Sequence, residues 1–259
     1  MSDVKKTLVL INGKSGVGKD FLIDKVVYNL TKRNKTIFRF AHADILKKYI
    51  SDLFNIELSE FYTSDKDLRY IIFNRKNLLE QAKIYTTDYI RATFKSFNYE
   101  VWDENQIKEY YSVEEPEDLY RMYDSGHFIM VSLRTLLLYF GYTIMKRQMP
   151  PFLLLFQSLR EHSQTREFIE SEYIIVTDNR FNEEVEFLTN YAIENGYDIK
   201  FIRITSDKSN NITNAAEDAL TIDVEQYIPL EDILIIDNSD RSEYGTNETV
   251  QAISDFIVS

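Results

Sequence analysis

The chain has 259 residues, of which 44% are hydrophobic and 28% charged, and it contains no cysteine. This composition predicts one large domain with a sizeable core, and it excludes disulfide bonds, thiolate metal sites and cysteine nucleophiles. The formal net charge of −12 argues against a broad basic surface, so we expect no nucleic-acid partner. No apolar run approaches the roughly 18 residues of a membrane span, and we expect no membrane association, no signal peptide and a cytoplasmic location.

The first predicted strand, residues 8–11, runs directly into a glycine-rich loop at residues 13–19. Gly13, Gly18 and Lys19 fit the phosphate-binding pattern G-x-x-x-x-G-K. Glycines let backbone N–H groups turn toward a polyphosphate, and the lysine reaches its β- and γ-phosphates. A glycine turn that merely precedes a lysine is the alternative, but the strand before and the helix after favour a phosphate site. The predicted site consists of Gly13, Lys14, Ser15, Gly16, Val17, Gly18, Lys19 and Asp20.

Asp20 stands where this pattern usually has serine or threonine, at the start of a helix predicted over residues 20–33. A carboxylate is a hard oxygen ligand, so Asp20 is a candidate ligand of Mg²⁺, directly or through water. The helix dipole also favours an acidic residue at this position, which is the alternative explanation.

The next segments carry candidate cations. A strand over residues 36–41 and a helix over 44–54, with Asp44 as its cap, place Lys47 near the start of that helix, where it could face a substrate phosphate. Residues 55–130 give few signals, and we predict mostly helix over 67–97. Arg69 and Arg75 are candidates for substrate contact, with an ordinary surface role as the alternative for each.

A helix predicted over residues 131–148 contains Arg134 within an apolar stretch and ends at two prolines. Arg134 either extends to solvent along the apolar surface or points into an active cleft. Arg147 precedes the proline break, where a lid over phosphates would need a cation. A further helix is predicted over residues 152–168.

The second informative stretch is the β-branched run at residues 173–177, which predicts a buried strand. Asp178 and Arg180 follow it and, in an open parallel sheet, would lie at the same edge as the glycine loop. Asp178 could orient Mg²⁺, and Arg180 could neutralise phosphoryl charge. The alternative is that the two residues pair with each other or cap the next helix.

Strands over residues 199–204 and 233–236 and a last helix over 246–257 complete the pattern. Five strands, mostly separated by helices, predict an α/β fold with an open parallel five-stranded sheet. We place a large helical insertion, for substrate binding and a lid, at about residues 55–168 of this single domain.

Several motifs together resemble the phage-type deoxynucleoside monophosphate kinases, in the adenylate-kinase-like group of phosphate-loop kinases. The motifs occur in the same order along both ends and the centre of the chain. They are G-x-x-x-x-G-K-D, Ala43-x-x-x-Lys47, an arginine helix with Gly141, Asp178-x-Arg180-Phe181-x-x-Glu184, Glu217 and Asp237-Asn238.

The resemblance implies a three-layer P-loop kinase fold and transfer of the ATP γ-phosphoryl group to a deoxynucleoside monophosphate, with Mg²⁺ as cofactor. It implies that the glycine loop and Lys19 hold ATP, and that Asp20 and Asp178 position the metal. It further implies that Arg134, Arg147 and Arg180 gather charge around the transferred group. The acceptor would be held by Lys47, Arg69, Arg75 and Glu217. A bacteriophage origin would put the protein in the cytoplasm of a bacterial host.

Two other functions stay open from the sequence. One is a phosphate-loop kinase for another small acceptor, such as a nucleoside or a coenzyme precursor. The other is a nucleotide-binding switch protein, although the chain lacks an N-K-x-D guanine signature. The many aromatic residues would permit a homodimer.

Overall fold

A computed structural model describes residues 5–14, 16–63, 70–74, 128–138, 152–207 and 223–259. The chain divides into two compact units, one formed by Met1–His42 with Leu154–Ser259 and the other by Ala43–Leu153. The described strands are β1 (Thr7–Asn12), β2 (Ile37–Ala41), β3 (Tyr70–Asn74), β4 (Phe128–Ser132), β5 (Tyr173–Thr177), β6 (Asp198–Thr205) and β7 (Ile233–Asp237). The described α-helices are α1 (Lys19–Lys32), α2 (His42–Phe54), α3 (Leu133–Leu138), α4 (Phe152–His162), α5 (Arg166–Glu170), α6 (Asn182–Asn195) and α7 (Glu243–Val258).

The first unit contains a five-stranded sheet in the order β2-β5-β1-β6-β7. Every neighbouring pair is parallel, and β1 is central, with Thr7 opposite both Tyr173 of β5 and Asp198 of β6. Strands buried on both faces need apolar side chains at successive positions, and all positions of β1 and β5 are buried. The predicted α/β class and the parallel five-stranded sheet are confirmed.

Helices cover both faces of this sheet. Val9, Ile11 and Ile175 point to the face where α1 and α7 pack, whereas Leu8 and Leu10 point to the face covered by α4, α5 and α6. The two sets alternate along β1 because successive strand residues face opposite sides of a sheet. The result is a helix–sheet–helix arrangement that leaves the strand ends free to carry a site.

The second unit contains β3 and β4, which pair antiparallel with Tyr70 opposite Ser132. The helix predicted over residues 67–97 is therefore wrong at 70–74, where the sequence YIIFN has strand-forming aromatic and β-branched residues. The helix predicted from residue 131 begins instead at Leu133, after β4 ends. Residues 139–148 of that prediction lie outside the described part of the chain.

Two other helix boundaries differ from the predictions. α2 begins at His42, so Asp44 lies in its first turn and is not its cap. The helix predicted over residues 152–168 is interrupted, since α4 ends at His162 and α5 begins at Arg166. Thr165 caps α5, and its side chain accepts a hydrogen bond from the Phe168 N–H at 3.4 Å. Local capping of this kind ends a helix even where the apolar pattern continues.

Within the described ranges, no helix combines the length and the apolar composition that crossing a membrane requires. The single domain with a helical insertion at about residues 55–168 stays a prediction.

Candidate functional site

Loops from three strands meet at the carboxyl edge of the parallel sheet. The glycine loop follows β1, residues 178–181 follow β5, and residues 238–241 follow β7. Ligands of open α/β sheets bind beyond the carboxyl ends of the strands. The edge is therefore where a functional site is expected, and polar residues are concentrated there.

The glycine loop is packed closely against the neighbouring strand ends. Gly18 is the N-cap of α1 with φ of +84°, and a Cβ there would lie 2.8 Å from Asn238 Nδ2. A Cβ at Gly13 would lie 2.8 Å from the Ile204 carbonyl oxygen. Because the N-cap is a glycine, it has no side chain to satisfy the first N–H groups of α1. Those groups can bind an anion at the positive end of the helix dipole.

Lys19 connects this loop to the loop after β5. Its side chain is buried, and Nζ lies 2.7 Å from Asp178 Oδ1 and 3.7 Å from Asp20 Oδ2. Burial alone lowers the pKa of Lys19, but the charges of Asp178 and Asp20 outweigh it and raise the pKa above 10.5. The lysine is therefore a fixed cation between two carboxylates.

Asp178 has an unusual backbone conformation for a residue with a side chain. Its φ is +68°, in the left-handed region, which costs about 1–2 kcal/mol for most L-residues. Asp and Asn tolerate this region best, and the carboxylate is mostly buried, with 19% of the side chain exposed. The surrounding structure holds Asp178 in the orientation that brings its carboxylate to Lys19.

Arg180 adds a second cation to this edge. The positive charge of Arg180 opposes the rise in the pKa of Lys19 but does not cancel it. Among the described residues, the Arg180 guanidinium has no ion-pair partner, whereas its backbone N–H donates to Glu184 Oε2 at 2.7 Å. The alternative considered from the sequence paired Asp178 with Arg180, whereas in the structure Asp178 pairs with Lys19. The Arg180 guanidinium can bind an anion.

Asp20 is the more exposed carboxylate, with 67% of its side chain accessible. Its Oδ1 lies 3.1 Å from Arg39 Nη2, and Arg39 also pairs with Asp24. Among the described residues, no group of three or more acidic, histidine or cysteine side chains is arranged so that it could hold a metal ion. Two carboxylates around Lys19 fit Mg²⁺, because this ion takes few protein ligands and completes its shell with water and phosphate oxygens.

Three buried asparagines hold the loops together, and sequence reasoning gave them no such role. Asn12 Nδ2 donates to the Asn179 carbonyl at 2.7 Å, and Asn179 Nδ2 donates to the Ile11 carbonyl at 3.1 Å. Asn238 Nδ2 donates to the Val17 carbonyl at 2.7 Å. The signal that could have identified them is a lone amide at the end of an apolar strand, where buried loop backbone needs partners.

A pocket of about 450 Å³ opens beside the glycine loop, between the first turns of α1 and α7. The ring of Phe21 at its wall is 58% exposed, with Lys25 Nζ 5.0 Å from the ring centroid. Arg241 Nη2 donates to the Gly16 carbonyl at 2.6 Å. The lining residues are Gly18, Phe21, Lys25, Asn238, Arg241, Glu243, Thr246 and Asn247. An aromatic face beside cations and amides suits a flat, polar heterocycle.

The structure thus brings together the described residues of the glycine loop with Lys19, Asp20, Asp178 and Arg180, while the remaining predicted site residues are elsewhere or not described. Lys14 is exposed on the loop, and Lys47, in the second unit, has its Nζ 3.0 Å from Asp44 Oδ1. Arg134 lies in α3, and its side chain is outside the described part of the structure. Ser15, Arg69, Arg75, Arg147 and Glu217 lie outside the described residues.

Compared with known proteins, the sequence matches no protein-family model and no curated protein.

Proposed function

We propose that the protein is a kinase that transfers the γ-phosphoryl group of ATP to a deoxynucleoside monophosphate. The observation that carries the proposal is the placement of Lys19 between Asp178 and Asp20, directly after a glycine loop at the carboxyl edge of a parallel sheet. The acceptor class comes from the motif resemblance described above, and the site geometry supports phosphoryl transfer as the reaction type.

The residues of the site have the properties that phosphoryl transfer requires. This reaction needs positioned charges and no covalent nucleophile. The N–H groups at the start of α1 and the Lys19 ammonium would bind the β- and γ-phosphates. Arg180, with its guanidinium unpaired among the described residues, would stabilise charge on the transferred group. Asp20 and Asp178 would hold Mg²⁺, which supplies charge neutralisation to the phosphates when bound.

The pocket beside Gly18 favours a nucleotide, rather than inorganic polyphosphate, as the ligand of the site. It adjoins the glycine loop, so a nucleotide with its phosphates on the loop could place its base against the exposed ring of Phe21. Stacking on an aromatic face and the nearby charge of Arg241 would favour an aromatic base. The local cations also explain how a protein of net charge −12 can bind an anionic ligand.

The test is a product assay with a matched pair of lysine variants. The protein is mixed with Mg²⁺, ATP and each deoxynucleoside or ribonucleoside monophosphate in turn, and the nucleotides are separated by chromatography. We expect diphosphate from deoxynucleoside monophosphates with the wild type, none with Lys19→Met, and wild-type amounts with Lys32→Met. Lys32 is an exposed residue at the other end of α1, with its Nζ 4.3 Å from the Tyr28 ring centroid.

Other outcomes would contradict the proposal in different ways. ADP formed equally with and without an acceptor would indicate an ATPase. Tight nucleotide binding with no turnover would indicate a switch protein. Full activity in Lys19→Met would remove the glycine loop from the mechanism.

A further inference from the structure

A buried histidine lies directly behind the loop that carries Asp178. His42 is the first residue of α2 and follows β2 without a linker, and only 8% of it is exposed. Its Nε2 lies 3.2 Å from Asn179 Oδ1, and its Nδ1 lies 3.3 Å from Glu184 Oε1. The ring therefore joins the loop after β5 to the first turn of α6.

The contacts of Asn179 determine which of its amide atoms faces the histidine. Its Nδ2 donates to two carbonyl oxygens, those of Val176 at 2.8 Å and Ile11 at 3.1 Å. Its other amide atom must then be the oxygen, which only accepts hydrogen bonds. His42 Nε2 is consequently the donor, and it carries a proton.

Glu184 places a second acceptor on the other side of the ring. Its Oε2 accepts from the backbone N–H groups of Arg180 at 2.7 Å and Phe181 at 3.1 Å. Its Oε1 faces His42 Nδ1 at 3.3 Å, so a proton on Nδ1 would complete an ion pair across this contact. Each ring nitrogen of His42 therefore has an oxygen of Asn179 or Glu184 beside it, which is the arrangement that an imidazolium needs.

The electrostatic surroundings agree with this assignment. Burial lowers the pKa of His42, but the charge and hydrogen bond of Glu184, the charge of Asp178 and the hydrogen bond to Asn179 together raise the pKa above 6.5. In the described structure the charged groups that act on the ring are Glu184 from α6 and Asp178 from the loop after β5.

We propose that His42 is a positioning residue of the phosphotransfer site, and that its doubly protonated ring fixes residues 178–181 by joining Asn179 to Glu184. The effect of His42 on phosphoryl transfer rests on the proposed function. The protonation state and the contacts of His42 do not. Asn179 follows Asp178, and Glu184 holds the backbone of Arg180. The imidazolium therefore anchors the residues that directly follow the left-handed Asp178, whose carboxylate contacts Lys19.

The first experiment tests the protonation state without any assay of activity. The chain has three histidines, so His127→Gln and His162→Gln identify the His42 signals in ¹⁵N-correlated NMR of the wild type. We expect both ring nitrogens of His42 to be protonated at neutral pH. A neutral ring at pH 7, with one unprotonated nitrogen, would overturn the proposal even if His42 variants fail to fold.

The second experiment measures the free energy of unfolding against pH. A histidine whose folded pKa is raised stabilises the fold below about pH 6.5, and this stability is lost as pH rises through the folded pKa. We expect this loss in the wild type and in His162→Gln, and a flatter profile in His42→Gln. His162 is the matched control because its ring packs 5.1 Å from the Phe38 and Phe40 rings, in an aromatic cluster. An unchanged slope in His42→Gln would count against the imidazolium.

The third experiment asks whether the histidine matters for transfer. We expect His42→Gln to lower kcat by about 10- to 100-fold, with a much smaller change in the KM for ATP. The reason is that displacement of the Asp178 carboxylate impairs the geometry of the reaction more than the binding of ATP. Wild-type kcat should fall at the pH where NMR shows His42 losing its proton. Wild-type kcat and pH profile in His42→Gln would refute the positioning role. If the wild type transfers no phosphoryl group, the proposed function fails, while NMR and stability still decide the state of His42.

Discussion

A single methyl group at Gly18 tests how the glycine loop is built. The residue combines φ of +84° with a site where a Cβ would lie 2.8 Å from Asn238 Nδ2. Gly196, at the end of α6, has a similar φ of +68°, but no atom lies within 4 Å of its Cβ position. Gly18→Ala and Gly196→Ala therefore share the backbone strain and differ in the close contact.

The expected losses of stability follow from these contacts. An alanine in the left-handed region costs about 1–2 kcal/mol of stability. It also lowers the conformational entropy of the unfolded chain, which stabilises the folded protein by about 0.4–1 kcal/mol. Gly196→Ala should therefore lower the free energy of unfolding by about 1 kcal/mol. At Gly18 the methyl also displaces the Asn238 amide from the buried Val17 carbonyl, which adds about 1–3 kcal/mol. We expect a total loss of about 2–4 kcal/mol for Gly18→Ala.

Two measurements on the same pair of variants check this prediction. Denaturant unfolding compares their stability, and calorimetric titration with ATP and Mg²⁺ compares their binding. We expect Gly18→Ala to lose ATP binding and Gly196→Ala to retain it. Equal destabilisation of the two variants would refute the close packing against Asn238. Wild-type affinity for ATP in folded Gly18→Ala would refute the assignment of phosphate binding to this loop.

Three further predictions concern the charges and the core. Asp178→Asn removes the nearest counter-charge of a buried lysine, and we expect kcat to fall by about 100-fold or more in the transfer assay; retained kcat would contradict its role. Arg39→Met removes the ion-pair partner of the exposed Asp20 carboxylate, so we expect the Mg²⁺ concentration for half-maximal transfer to fall. Stability should change by less than about 1 kcal/mol. An unchanged Mg²⁺ requirement would contradict the idea that Arg39 and Mg²⁺ compete for Asp20. Leu188→Ala, at a fully buried position of α6, should cost about 2–5 kcal/mol in denaturant unfolding. Ile193→Ala on the same helix, at a residue 70% exposed, should cost less than about 0.5 kcal/mol, and similar losses would contradict the packing.

The parallel sheet was predictable because each of its strands is a short apolar run that ends abruptly in polar residues. Tyr173–Thr177 has the same bounds in the prediction and in the structure. In a parallel sheet the chain direction alone determines which end of each strand lies at the ligand edge. This is why the sequence alone predicts Asp178 and the glycine loop at one edge.

The antiparallel pair of β3 and β4 was not predictable from local patterns. Tyr70–Asn74 pairs with Phe128–Ser132, more than fifty residues later in the chain. A five-residue apolar run fits a helix as well as a strand, and only the partner strand decides between them. The same limitation explains the helix that was predicted across residues 67–97.

The network around His42 also depends on contacts that are distant in sequence. β2 and β5 are neighbours in the sheet although they are separated by more than 130 residues. Only this adjacency brings His42, after β2, to Asn179, after β5. The motif Asp178-x-Arg180-Phe181-x-x-Glu184 included Glu184 only as part of the family resemblance, and it did not indicate that the Glu184 carboxylate faces a histidine.

The three buried asparagines connect the loops of this edge without adding charge to it. Asn12, Asn179 and Asn238 are 2%, 0% and 3% exposed, and each uses its amide N–H to hold the backbone of another loop or strand end. An aspartate would offer the same shape but could not donate these bonds, and it would add a buried negative charge close to Lys19 and Asp178. A lysine or arginine would compete with Lys19 for the Asp178 carboxylate. Neutral amides supply the hydrogen bonds without adding charge. The charges of Lys19, Asp178 and Arg180 therefore determine the electrostatic field that would act on a bound phosphate.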